Sequence, residues 1–160
     1  MRIIVYVIII CFYWINVFAL SIQCDFEEVY ENGEIQQGLI LIDKENLRYQ
    51  YFNQDLFTLL YINKKLFVIE NSNLNKAQII ENNEIIPFIV DIYKDYPNIK
   101  TSYYRNNHEI IIEKSHKDFI KRLIAKSPQL NVSVYFLNCK EEIINKKFFD
   151  FNPLIKYVPN

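Results

Sequence analysis

The sequence predicts a mainly β protein with one helix, an α+β fold built on a strongly curved antiparallel sheet. Three observations predict it. Residues 38–69 (GLILIDKENLRYQYFNQDLFTLLYINKKLFVI) read as four extended segments parted by short polar corners. Three of the four carry apolar or aromatic side chains at odd and even positions alike, so both faces of a sheet need cover. At Ile85, Ile86, Phe88, Ile89, Ile92 and Tyr93 the apolar spacing changes from that of a strand to that of a helix.

The N-terminus reads as an export leader. Met1 and Arg2 make a minimal basic start, residues 3–18 an almost unbroken apolar run, and Val17-Phe18-Ala19 a cut site with a small residue. Residues 1–19 are thus a signal peptide, cut after Ala19 or Ser21, or an uncleaved anchor. The second reading arises because Leu20 and Ile22 extend the run to about the 20 residues a membrane span needs. Either way the remainder, 20–160, lies outside the cytoplasm as a single domain large enough to bury a core without disulfide staples.

Residues 26–30 and 34–42 form a hairpin around Glu31-Asn32-Gly33, where Asn and Gly tolerate positive φ. After a corner at 43–46, residues 47–52 put Leu47, Tyr49 and Tyr51 on one side and Arg48, Gln50 and Phe52 on the other. Segments 56–62, 66–69 and 77–80 continue the meander, with polar connectors at 63–65 and 71–75. Pro87 falls in the first turn of the helix, where its missing N–H costs nothing. Extended segments return at 99–104, 109–113, 119–125, 130–137 and 143–151. Residues 117–126 (KDFIKRLIAK) also fit a basic amphipathic helix, but their place in the meander favours a strand.

The formal charge of −1 argues against nucleic acid as a partner, as no cluster of Lys and Arg interleaves with aromatics. Cys11 belongs to the leader, which leaves Cys24 and Cys139 in an oxidising compartment; nothing in the sequence fixes the geometry of a bond between them, so their pairing stays open. No spaced set of His, Cys and carboxylates points to a metal, and no cofactor is implied. His108 and His116 sit in polar corners and read as solvated. Glu27-Glu28 and Glu141-Glu142 are adjacent pairs that point to opposite faces of a strand, so they cannot share a proton and read as surface charge. The protein is therefore not expected to be an enzyme.

A meander of this length buries one face by curling, and one short helix has too little area to cover the other. The leftover apolar wall reads as a site for an apolar ligand or partner.

The order of features resembles the periplasmic outer-membrane lipoprotein carrier family, LolA. The resemblance is carried by a strand opened by Phe26, the glycine-led strand 38–42, Leu47-Arg48-Tyr49 with its alternating aromatics, and the strands 56–62 and 66–69. It continues in the helix start Ile85-Ile86-Pro87-Phe88 and the ending Phe149-Asp150-Phe151-Asn152-Pro153. It implies an unclosed, half-barrel-like sheet under a helical lid, holding the acyl chains of lipoproteins. It further implies a monomeric periplasmic carrier that takes acylated lipoproteins from an inner-membrane ABC-type release complex and passes them to an outer-membrane acceptor. Under that reading Tyr49, Tyr51, Leu59, Tyr61, Phe67 and Ile69 line the cavity, and Ile85, Phe88, Ile89 and Ile92 form the lid. Lid control falls on the corner at Lys44, where Lys44-Glu45 stands in place of the family's Arg-Pro. The family's helix between leader and first strand has no counterpart before Phe26. The alternative is a membrane-tethered envelope interaction module that transfers no cargo.

Overall fold

A computed structural model describes residues 21–73, 76–116, 118–128 and 130–150; the expected leader and the closing residues 151–160 lie outside them. The first six strands are β1 (Ser21–Tyr30), β2 (Ile35–Asp43), β3 (Asn46–Tyr51), β4 (Phe57–Ile62), β5 (Lys65–Glu70) and β6 (Ala77–Ile80). Helix α1 (Ile85–Tyr93) follows, then β7 (Ser102–Arg105), β8 (His108–Lys114), β9 (Ile120–Ser127), β10 (Leu130–Glu142) and a short 3-10 helix (Lys146–Phe149). All ten strands join one antiparallel sheet in the order β6-β5-β4-β3-β2-β1-β10-β9-β8-β7. A first meander steps outward from β1 to β6, α1 crosses to the opposite edge, and a second meander returns from β7 to β10, which pairs with β1. The edge strands β6 and β7 do not pair with each other, so the sheet stays open.

The turns follow from local chemistry. Asn63 and Lys64 both have positive φ (50° and 61°), the two-residue hairpin geometry whose twist matches that of the flanking strands. Gly33 (φ 82°) closes the β1–β2 turn, and the Asn32 side chain accepts the Glu34 N–H at 2.9 Å. Gly38 meets a different demand: a Cβ there would lie 2.1 Å from the Gln50 carbonyl oxygen and 2.3 Å from the Phe26 ring. Only a glycine lets Phe26 lie flat over β2.

The sheet curls around α1. Leu59 on β4 and Leu123 on β9 are five strands apart in sheet order, roughly 24 Å on a flat sheet at about 4.8 Å per strand. Both line one small cavity against the helix, which a flat sheet would not allow. This inner face and α1 share a core that includes Phe26, Ile40, Leu47, Tyr93, Ile112 and Val134. The Asn83 side chain accepts the Ile86 N–H at 2.9 Å and so starts α1. Side chains tie the helix to its surroundings: Asp91 to Arg105 on β7 (2.8 Å), Lys94 to Glu45 at the β2–β3 corner (3.4 Å), and Glu84 to Asn106 (2.8 Å). No backbone hydrogen bond joins α1 to the sheet among the described residues.

The outer face has its own cover. Ile144 and Phe149 pack on Leu39, Leu41, Leu60 and Ile69, forming a second core. This corrects the expected strand at 143–151 over its described residues, 143–150. Its residues leave the sheet after Glu142 and turn into the 3-10 helix, capped by Asn145, whose side chain accepts the Lys147 N–H at 3.0 Å. β10 already has β1 and β9 as neighbours, so no edge is free there for another strand. Other boundaries differ too: β7 begins at Ser102 rather than at 99, and β10 runs on to Glu142 rather than ending at 137. β1 begins at Ser21, five residues before Phe26, because Ile22 and Cys24 continue its inward alternation between two partner strands. β9 is a strand, as its place in the meander predicts.

Cys24 and Cys139 form a disulfide (S–S 2.10 Å) that joins β1 to β10 across 115 residues. Asn138 and Cys139 together oppose the single residue Cys24, a bulge in which Asn138 takes positive φ (52°) and donates to Asp25 Oδ2 at 2.9 Å.

Candidate functional site

A partly open cavity of about 110 Å³ lies between the inner face and α1. Its roof is Ile85, Ile86 and Ile89; its first wall is Tyr49, Tyr51 and Leu59. Leu123 and Ala125 of β9 and Val132, Val134 and Phe136 of β10 form the opposite wall. The sequence brings them together because alternate residues of each strand face inward, so the aliphatic set of the second meander meets the aromatic set of the first.

The aromatic wall is stacked and fixed. Phe26 lies parallel to Tyr49 with ring centroids 3.9 Å apart, and Tyr51 stands edge-on to both at 5.5 Å and 5.4 Å. The one charged group in the lining is Glu28, which is 8% exposed. Tyr51 and Tyr30 (3.0 Å) both donate their hydroxyls to its Oε2. Burial pushes the Glu28 carboxyl above the usual range, while these two hydrogen bonds pull it back. Burial, then the charge of Glu28, pushes Tyr51 far up and Tyr30 up. Tyr49 is 9% exposed, and its buried hydroxyl has no hydrogen-bond partner among the described residues. Burial raises its pKa well above the usual tyrosine range, so it stays a neutral donor.

The structure brings Tyr49, Tyr51, Leu59, Ile85 and Ile89 together as expected. Phe88 and Ile92 are buried in the same core but do not line the cavity; Phe88 lies under the Arg105 guanidinium, 4.4 Å from its ring centroid. Tyr61 is on the inner face but borders a separate depression beside Leu66 and Pro87. Phe67 and Ile69 are corrections, since both belong to the outer face. Leu59 pairs with Val68 and Tyr61 with Leu66, and directly paired residues share a face, so Leu66 and Val68 are the inward residues of β5. Lys44 is an exposed corner residue with positive φ (55°), and the corner reaches the end of α1 through Glu45 instead.

Glu28 is the chief residue missing from the expected site, and reading it as surface charge is corrected. The pair does split between faces: Glu27 accepts from Gln37 on the exposed side at 2.8 Å, and Glu28 turns inward. The signal was present, because a strand that turns Phe26 inward turns Glu28 inward too. His108 Nδ1 lies 3.8 Å from Glu84, and His116 is exposed.

No protein-family model matches the chain, and no curated protein is similar enough to count as a relative. Among the described residues no group of three or more His, Cys, Asp or Glu is placed to hold a metal ion, and no helix is long and apolar enough to cross a membrane.

Proposed function

We infer that this protein is a periplasmic carrier that shelters the acyl chains of lipoproteins and moves them from the inner to the outer membrane. It acts as a monomer and does no chemistry on its cargo. By resemblance to the LolA family, its partners are an inner-membrane ABC-type release complex and an outer-membrane acceptor.

One observation carries the reading: a mostly apolar cavity lies under a helix that, among the described residues, is joined to the curled, open sheet by side chains and by no backbone hydrogen bond. At about 110 Å³ it is well below the roughly 300–1,000 Å³ of pockets that enclose drug-sized ligands. Loading an acyl chain therefore requires α1 to move outward, which breaks exposed ion pairs worth about 0–1 kcal/mol each and uncovers part of the apolar core that Phe88 and Ile92 share with the sheet, but breaks no backbone bond to the sheet among the described residues.

Mass spectrometry of the purified chain is expected to find bound acyl species. Ile89→Glu, a charge placed in the half-buried roof, is expected to abolish them while unfolding stays cooperative. Wild type without acyl species, or unchanged loading in the variant, overturns the reading.

A second reading is favoured by the edge strand β6, exposed along its whole length with Ile79 at 56%. Under it, the chain is a membrane-tethered module that docks an envelope protein on that edge. N-terminal sequencing of the exported chain separates the two, since a retained 1–19 cannot diffuse between membranes.

A further inference from the structure

The acyl-carrier reading uses the apolar walls of the cavity and leaves its one charged side chain without a task. Glu28 lines the cavity and is 8% exposed, and its two oxygens differ. Tyr51 and Tyr30 both donate to Oε2, whereas Oε1 accepts nothing among the described residues. Oε1 is also not one of the buried side-chain atoms shut off from solvent, so it opens on the cavity that Glu28 lines. Two hydroxyl donors favour the ionised form, yet no cation faces it from the lining. The groups around it that titrate are tyrosines, Tyr30 on β1 and Tyr49 and Tyr51 on β3, while the lining from α1, β9 and β10 carries nothing that titrates. A buried negative charge without a counter-charge is costly, and a cation that reaches it relieves that cost.

We propose that this cavity binds a primary aliphatic amine of about four carbons, its ammonium on Glu28 Oε1 and its chain against the apolar walls. An apolar cavity of about 150 Å³ holds benzene, so one of about 110 Å³ suits a short chain of this size with α1 in place. The proposal goes beyond the acyl-carrier reading and does not rest on it, since the helix need not move. Because the cavity is partly open, a longer chain can extend through its mouth.

The test uses the full chain and a set of four-carbon probes, butylamine, 1-butanol and butyrate, titrated near neutral pH with binding followed by amide NMR shifts. Wild type is expected to bind butylamine about tenfold or more tightly than 1-butanol, the scale by which a charge-assisted hydrogen bond exceeds a neutral one. Butyrate should bind most weakly. Glu28→Gln, which keeps the shape and removes the charge, should bring butylamine down to 1-butanol or below. As pH falls through the folded pKa of Glu28, butylamine should weaken in wild type while 1-butanol does not, because the amine stays protonated and the carboxyl loses its charge. Equal binding of butylamine and 1-butanol, butyrate as the tightest probe, an amine preference kept in Glu28→Gln, or amine binding unmoved by acid overturns the proposal. Acyl species that co-purify without amine selectivity sink this inference alone. Amine selectivity without co-purified acyl species sinks the carrier reading and leaves the inference standing.

Discussion

Arg48 and Tyr49 are consecutive on β3 and point to opposite faces of the sheet, and the two faces are finished differently. Arg48 is 1% exposed under the C-terminal segment. Its Nε and Nη2 donate to Gln50 Oε1 at 3.0 Å and 2.7 Å, and its Nη1 donates to the Phe148 carbonyl at 2.8 Å. Burial lowers its pKa to about 10, which still leaves it charged at neutral pH. Tyr49 is almost as buried, yet its hydroxyl is bonded to nothing described. A buried polar group with partners on both sides seals a face, whereas one without carries the cost of the hydrogen bonds it gave up to water.

The comparison predicts unequal costs. Arg48→Ala should be the most damaging change, about 3–5 kcal/mol by urea unfolding. It empties a large buried volume and strips donors from Gln50 and the Phe148 carbonyl. A cost below about 1 kcal/mol would mean the outer face is no better sealed than the inner one. Cys24→Ser should cost about 2–4 kcal/mol, because the bond closes a 115-residue loop at the seam beneath both faces. Hydrogen exchange should then rise on β1 and β10 before β4 and β5; a uniform rise would count against a seam.

Glu28 gives a smaller effect with a defined sign. Its folded pKa is raised above 4.5, so the folded state holds the proton more tightly than the unfolded chain does. The contribution of Glu28 to stability should therefore be largest below pH 4.5 and fall as pH rises through the folded value, and Glu28→Gln should remove that part of the pH dependence. A wild-type curve that instead climbs across this window for reasons the variant abolishes would place Glu28 outside the cavity. Tyr49→Phe should change stability least, within about 1 kcal/mol of wild type and toward greater stability, since no hydrogen bond is lost.

Much of this was legible wherever faces differ in chemistry. β3 alternates apolar with polar residues, so its sequence puts Leu47, Tyr49 and Tyr51 on one side, and they stand together on the inner face. β5 offers no such contrast: Leu66, Phe67, Val68 and Ile69 are all apolar, so the period of two has no phase, and the inward residues are Leu66 and Val68, one position from the expected Phe67 and Ile69. Glu28 went unread because a carboxylate on a strand defaults to solvent, although Phe26 two residues earlier fixed its direction. The cover of the outer face could not be read locally. Residues 143–149 are as apolar as a strand, and only the sheet order, which places β1 beside β10, denies them an edge.

That sheet order also sets a timetable. β2 to β6 can zip onto β1 as soon as they emerge, since each pairs with its predecessor. The other flank of β1 has to wait for β10, more than a hundred residues downstream, a delay of roughly 10 s at a synthesis rate of about 10 residues per second. During that interval a ten-residue strand carrying Ile22, Phe26 and Val29 offers its unpaired amides to any passing chain. The nascent half-sheet therefore needs protection at its middle rather than at its finished rims.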